Sequence, residues 1–209
     1  MSEPGSHEFT VESSETVYSG AILTLRLDEV VMPGGRTAQR EVVEHHGAVA
    51  VIARDEQGRI AMVRQYRHPI GRRLLELPAG LLDGGPDESP LGAAQRELAE
   101  EADLAADFWR TLVDLCLSPG FTDEALRIFV AEGLRSVDGG EREHEEADMV
   151  TEWVPLDRAV AMTLSGEIVN ATSVAGILAL AAADATGATL RQADSPWTDQ
   201  PTRFAARGR

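Results

Sequence analysis

The stretch Gly80 to Leu104, GLLDGGPDESPLGAAQRELAEEADL, decides how this chain is read. Ser89 is a favourable helix N-cap and Pro90 suits the first turn, so a helix is predicted from Ser89 onward. Leu91, Ala94, Leu98 and Ala102 recur at i, i+3, i+7 and i+11 and form its apolar stripe, with Asp103 near the C-terminal end. Glu97, Glu100 and Glu101 then share one edge of the helix beside that stripe. Like charges at these spacings cost about 0.2–0.5 kcal/mol per pair in an isolated helix. Glu100 and Glu101 also face the negative end of the helix dipole. Folding pressure alone does not favour this placement. A hard divalent cation reverses the argument, because Mg²⁺ takes carboxylate oxygens, keeps several waters and is completed by substrate phosphates. The chain is acidic throughout, so spacing alone leaves open a merely solvated acidic face.

The composition narrows the classes. At 209 residues the chain is long enough for one globular unit with extensions. Hydrophobic residues make up 43% and aromatics 5%, which suits a soluble core. Nineteen basic residues against 35 acidic ones give a net charge of −16. That field repels nucleic acid and anionic membranes, so neither is an expected partner. A phosphate-bearing substrate needs local arginines or bound cations. All the basic residues are arginine, which excludes a Schiff-base lysine and a P-loop lysine. The single cysteine, Cys116, allows no internal disulfide and no cysteine zinc cluster. The N-terminal MSEPGSHEFTVESSE is polar and lacks the regions of a signal peptide. The longest apolar run, near Val174 to Ala183, falls short of the roughly 20 residues of a membrane span. A soluble cytoplasmic protein is expected.

Outward from the acidic helix, residues 1–14 read as a flexible tail. Residues 15–46 read as a strand region, with ETVYSG, then ILTLRLDEVV in period-two alternation, a turn at Pro33-Gly34-Gly35, and TAQREVV. AVAVIA (48–53) and IAMVRQY read as a hairpin about the turn from Asp55 to Gly58. LLELPAG reads as one short strand entering the Gly-rich loop. RTLVDLC, LRIFVAE and MVTEWVP are further strand candidates. Two more helices are predicted, Leu156 to Leu164 and about Thr172 to Asp184. The segment 187–209 reads as an irregular tail. Mixed strands flanked by helices predict an α/β sandwich.

The acidic helix resembles the Nudix box, G-x5-E-x7-R-E-U-x-E-E-x-G-U with U aliphatic, through Arg96-Glu97-Leu98-Ala99-Glu100-Glu101 and Glu88 seven intervening residues earlier. Two departures stand out. Seven residues rather than five separate Gly80 from Glu88, an insertion placed at Gly84-Gly85-Pro86. Asp103 replaces the final glycine, the left-handed residue that closes the helix, a conformation Asp adopts at some strain. Within the family, VRQYR (63–67), LLELPAGLLD (74–83), SPGFTDE (118–124) and IVNATSVAGILAL (168–180) are similar to the ADP-ribose pyrophosphatases. Pro119 lies fifteen residues after Leu104, close to the proline associated with that subfamily.

The resemblance implies a Nudix α/β/α sandwich with a mixed sheet over 47–186, preceded by an antiparallel strand region at 15–46 that mediates homodimerisation. It implies Mg²⁺-dependent hydrolysis of ADP-ribose, or a related ADP-sugar, to AMP and ribose 5-phosphate, with Mn²⁺ as the alternative metal. Glu97, Glu100, Glu101 and the carbonyl of Ala79 are the implied ligands. Two cations ~3.5–4 Å apart would polarise the phosphate and help generate hydroxide. Arg96 is expected to pair with nearby carboxylates and orient them, and Glu88 is read as structural rather than as a distant ligand. The general base is expected from GGEREHEEADM (139–149), with Glu145 first and Glu146 second. Arg67, Glu76, Pro119 and Gly120 are the implied substrate contacts, and Arg40 is expected to reach a partner's site. Arg64 is read as a surface ion-pair residue, and Phe121 is left open between pocket and core. The competing functions are a Nudix hydrolase for GDP-mannose or NADH, and a sensor that binds ADP-ribose without turnover.

Overall fold

The computed structural model describes residues 5–85, 87–140 and 148–207. The chain divides into two compact units, Met1–Gly47 with Cys116–Ala125 and Asp199–Arg209, and Ala48–Leu115 with Leu126–Thr198.

The first unit is built on an antiparallel sheet of β1 (Val11–Ser19), β2 (Leu23–Val31) and β3 (Thr37–His45), in that order. β1 begins inside the stretch expected to be a tail, and every one of its residues is exposed. The register is continuous from Leu23↔His45 to Val31↔Thr37, closed by the turn at Gly34 and Gly35, both at positive φ. Asp28 and Glu44 are buried, and Arg26 lies within 2.9 Å of the first and 3.1 Å of the second. Arg207 also pairs with Glu44. It follows the short helix α4 (Arg203–Ala206) in a stretch read from sequence as irregular.

In the second unit β4 (Ala48–Ala53) is buried throughout, as an apolar run at the centre of a sheet should be. It pairs in parallel with β9 (Ala125–Ser136) and antiparallel with β7 (Ala79–Leu81). β8 (Leu104–Cys116) and the two-residue β11 (Arg191–Gln192) complete the order β11-β8-β9-β4-β7. A second sheet has the order β10-β5-β6, from β10 (Val150–Pro155), β5 (Arg59–Arg67) and β6 (Arg72–Glu76). LLELPAG, expected as one strand, is therefore two, β6 and β7, in different sheets. The break falls at Leu77-Pro78, where proline supplies no ladder donor.

Alternation along β4 makes the sandwich. Val49, Val51 and Ala53 pack with Phe129 and Ala131 against Ala93, Ala94, Leu98 and Ala102 of α1 (Pro90–Ala102). Ile52 and Ile128 face the other way. There they meet Gly176 of α3 (Ala171–Thr186), where a Cβ would crowd Leu77, Ile128 and Ile52. α2 (Leu156–Ser165) packs on α3. The fold is thus the expected α/β arrangement with a mixed sheet and a separate antiparallel strand region.

Candidate active site

The acidic helix is built as its sequence dictates. The Ser89 hydroxyl accepts the Gly92 amide at 3.0 Å and Pro90 occupies the first turn. Asp103 closes the helix in the left-handed conformation (φ 55, ψ 38), with its amide donating to the Ala99 carbonyl.

Glu97 and Glu101 lie on the buried side of α1, at 6% and 4% exposure, while the Glu100 side chain is partly exposed. Glu97 rests on the backbone of β7 at Gly80, where any Cβ would fall on its carboxylate. That close approach is the reason for a glycine here. Glu101 Oε2 accepts the Ala79 amide at 2.9 Å. The strand that carries Ala79 is therefore fixed to the helix that carries the glutamates.

Arg96 ties this ridge to the loop before it. Its Nε and Nη2 donate to the two oxygens of Glu88 at 2.8 and 3.2 Å, and Nη1 donates to Glu97 at 2.6 Å and Glu100 at 3.1 Å. Nη2 also reaches the Leu81 carbonyl at 3.3 Å. Glu88 accepts the Gly84 amide at 3.0 Å as well, which is a loop-bracing role. The Arg96 hydrogen bond, against opposing burial, holds the Glu88 carboxyl below its ordinary range. Burial does the reverse at Glu97. It pushes that carboxyl up to about 7 despite the neighbouring Arg96.

One guanidinium thus faces Glu88, Glu97, Glu100 and, at 3.5 Å, Asp83. Among the described residues no three His, Cys, Asp or Glu side chains converge as a ready-made metal cage. Arg96 holds two of the ridge carboxylates and the Ala79 amide holds the third. The donor chemistry nevertheless fits a hard divalent cation. Carboxylate oxygens gather where burial disfavours their charge, and such oxygens are the donors a hard divalent cation takes.

Beyond the ridge, Arg67 Nη2 donates to Glu76 at 2.6 Å, and Arg67 Nε lies 3.1 and 3.2 Å from the two Glu76 oxygens. Glu76 is 1% exposed at the end of β6, three residues before Ala79. Arg64 pairs with Glu152 at 2.7 Å, the surface role expected of it. A position that the sequence did not single out supports the site from behind. The Ser173 hydroxyl accepts the Leu77 amide at 2.9 Å and donates to Asn170, the N-cap of α3, at 3.1 Å. It holds the Leu77-Pro78 break from which β7 departs. Asn170-Ala171-Thr172-Ser173 is a readable capping sequence, but its reach across the fold to Leu77 carries no sequence signal.

Arg40, Pro119 and Gly120 belong to the first unit. Arg40 is exposed, with Nη1 on the Gln39 carbonyl at 2.9 Å. Pro119 and Gly120 form a turn closed by the Phe121 and Thr122 amides on the Ser118 carbonyl, each at 3.1 Å. Phe121 is exposed, which removes the core reading. Glu145 and Glu146 lie outside the described residues.

Comparison with known proteins agrees with this geometry. The NUDIX domain family matches residues 44–173, and the nucleoside diphosphate sugar hydrolase N-terminal domain family matches residues 9–43. The ADP-ribose pyrophosphatase of Mycobacterium tuberculosis is 53% identical over 201 residues, which covers 96% of this chain and 97% of that protein. The ADP-ribose pyrophosphatase of Bacillus subtilis is 38% identical, covering 79% and 88% of the two chains. A solved structure described as an ADP compounds hydrolase shares the fold with a TM-score of 0.76, at 21% identity over 87% of this chain and 97% of that one. With the ridge of α1, the match over most of the sequence and a shared fold in agreement, the chain belongs to the Nudix hydrolase family, enzymes that act with a divalent cation.

Proposed function

We propose that this protein hydrolyses the pyrophosphate of ADP-ribose, or of a closely related ADP-sugar, to AMP and ribose 5-phosphate, with Mg²⁺ as its cofactor. The observation that carries the reading is the buried pair Glu97 and Glu101, held against Gly80 and Ala79 on an acidic ridge that Arg96 braces. The choice of substrate is supported by the likeness to the mycobacterial enzyme, which runs through both family regions of the chain.

Glu97, Glu100, Glu101 and the Ala79 carbonyl would hold the cation, which supplies charge neutralisation on the diphosphate and acidifies the attacking water. Arg96 orients the glutamates, in the manner of groups that brace metal ligands from outside. Glu145, with Glu146 second, takes the proton of that water. Arg67 offers a guanidinium of the geometry that grips phosphate, and Glu76 sets its direction. Pro119 and Gly120 are proposed as further substrate contacts, and Arg40 as one that reaches the partner's site.

The protein acts as a homodimer through its N-terminal strands. This is supported by the exposure of Phe9, Val11, Val17 and Tyr18 on or beside β1, an apolar edge that a monomer leaves wet. Sedimentation checks the assembly, and a stable monomer at micromolar concentration removes it. The activity is tested with ADP-ribose, GDP-mannose and NADH, each with Mg²⁺ and product analysis. Fastest release of AMP from ADP-ribose is expected. Preference for GDP-mannose or NADH would overturn the substrate, and tight binding of ADP-ribose without turnover would make the protein a sensor.

A further inference from the structure

Asp103 is the only non-glycine residue at positive φ among the described residues. It is disfavoured twice. The left-handed conformation is strained for a residue with a Cβ, and a carboxylate at a helix C-terminus opposes the dipole. Glycine would remove both costs.

The side chain has a specific contact instead. Asp103 Oδ1 accepts the Gly139 amide at 3.2 Å, and the Asp103 carbonyl accepts the Val137 amide at 3.0 Å. The segment that follows β9 is thus bound by two amides, with one residue between them, to the residue that ends α1. Gly139 itself lies so close to α1 that a Cβ would collide with the Ala99 carbonyl. Ala99 is flanked by Leu98 and Glu100, so the contact falls on the turn that carries Glu100 and Glu101. Asp138 then accepts the Gly140 amide at 3.0 Å. The next residues are the acidic stretch that holds Glu145 and Glu146.

We propose that Asp103 is a positioning residue. Its carboxylate anchors the stem Val137–Gly140 to the end of α1 and so holds the stem against the turn that carries Glu100 and Glu101. The role rests on the reading of α1 as the metal-bearing helix of a hydrolase. A glycine at 103 keeps the backbone bond to Val137 but has no acceptor for Gly139. The stem would then lose the bond at Gly139 and keep the one at Val137.

The test compares D103G, D103N and G139A with the wild type. It reads amide hydrogen exchange by NMR, thermal unfolding, and kcat and KM for ADP-ribose with Mg²⁺. In D103G the Gly139 amide should exchange roughly tenfold faster while the Val137 amide is unchanged. Turnover should fall about fivefold, as for loss of one hydrogen bond, with KM and the Mg²⁺ requirement unchanged and the melting temperature no lower. D103N keeps an oxygen acceptor and tolerates the left-handed conformation, so it should restore both protection and kcat. G139A should lower kcat like D103G, because its Cβ drives the stem off the Ala99 carbonyl. Wild-type protection in D103G would overturn the proposal. So would lost protection with unchanged kcat, or a loss in D103N as large as in D103G. A wild type inert toward ADP-ribose would sink the reading of the reaction, and the exchange data would still decide whether the anchor exists.

Discussion

Two arginines organise the second unit, and they do it differently. Arg127, 2% exposed on β9, donates to Asp114 at 2.7 and 3.0 Å and to the carbonyls of Ser195 and Pro196 at 2.7 and 3.1 Å. Its guanidinium also lies 5.0 Å from the centre of the Trp197 ring. Arg191 adds a second cation to Asp114 at 2.7 Å. Burial pushes the Asp114 carboxyl up, but the hydrogen bonds from Arg127 and Arg191 outweigh it and hold the group below its ordinary range. Around Arg96 the ratio is inverted, with one guanidinium facing four carboxylates, and there Glu97 is raised to about 7. A network with cations to spare closes the fold by pinning the segment that follows α3. A buried ridge of carboxylates is the place for a cation from solution.

The largest expected effects break this contrast at the ridge. Glu97→Gln and Glu101→Gln should each lower turnover of ADP-ribose on the order of a hundredfold or more, with the circular dichroism spectrum unchanged. Activity within a few-fold of wild type in either variant would remove the assignment. Next comes stability at the other network. Removing one partner of a buried pair costs about 3–5 kcal/mol, so Arg127→Ala should fall by roughly that amount in urea unfolding. Its specific activity per folded molecule should be kept. Arg96→Ala should do the opposite, losing roughly 10- to 100-fold in kcat with a smaller change in stability. Behaviour of the two variants in the same direction would dissolve the distinction.

The two networks also carry opposite pH signatures in the protein stripped of divalent metal. Glu97 has its folded pKa raised, so stability is greatest below the ordinary value of 4.5 and is lost as pH rises toward about 7. Asp114 has its folded pKa lowered, so its stability is present above the ordinary value of 3.8 and is lost as pH falls through the folded one. Urea unfolding from pH 3 to 8 should show Glu97→Gln flattening the neutral arm and Asp114→Asn flattening the acid arm. The smallest effect belongs to the support behind the site. Ser173→Ala leaves the buried Leu77 amide without its acceptor and should cost about 1–3 kcal/mol in the same assay.

The same contrast explains what could be read in the sequence. The ridge is local. Glu88, Arg96, Glu97, Glu100 and Glu101 lie within one loop and one helix, so helical periodicity and the box pattern place them together. Asp103 was legible as a left-handed cap for the same reason. The Arg127 network joins β8, β9 and the segment after α3, and residues 195 and 196 come within bonding distance only through the fold. Nothing in that stretch alternates or repeats, so it reads as an irregular tail. β8 begins at Leu104, ahead of the expected RTLVDLC, because Ala105, Ala106 and Asp107 are poor strand formers drafted by the sheet. The division of LLELPAG is set by Pro78 and by which sheet each half joins. Apolar content on both sides of the proline carries no such information.

On the proposed reading, the α1 ridge binds a divalent cation through Glu97 and Glu101. Calorimetric titration of Mg²⁺, with a non-cleavable ADP-ribose analogue present, into the wild type and the double variant Glu97→Gln, Glu101→Gln tests it directly. A saturable heat is expected in the wild type and should disappear in the double variant while both proteins melt cooperatively. Equal Mg²⁺ affinity in the two proteins would contradict it.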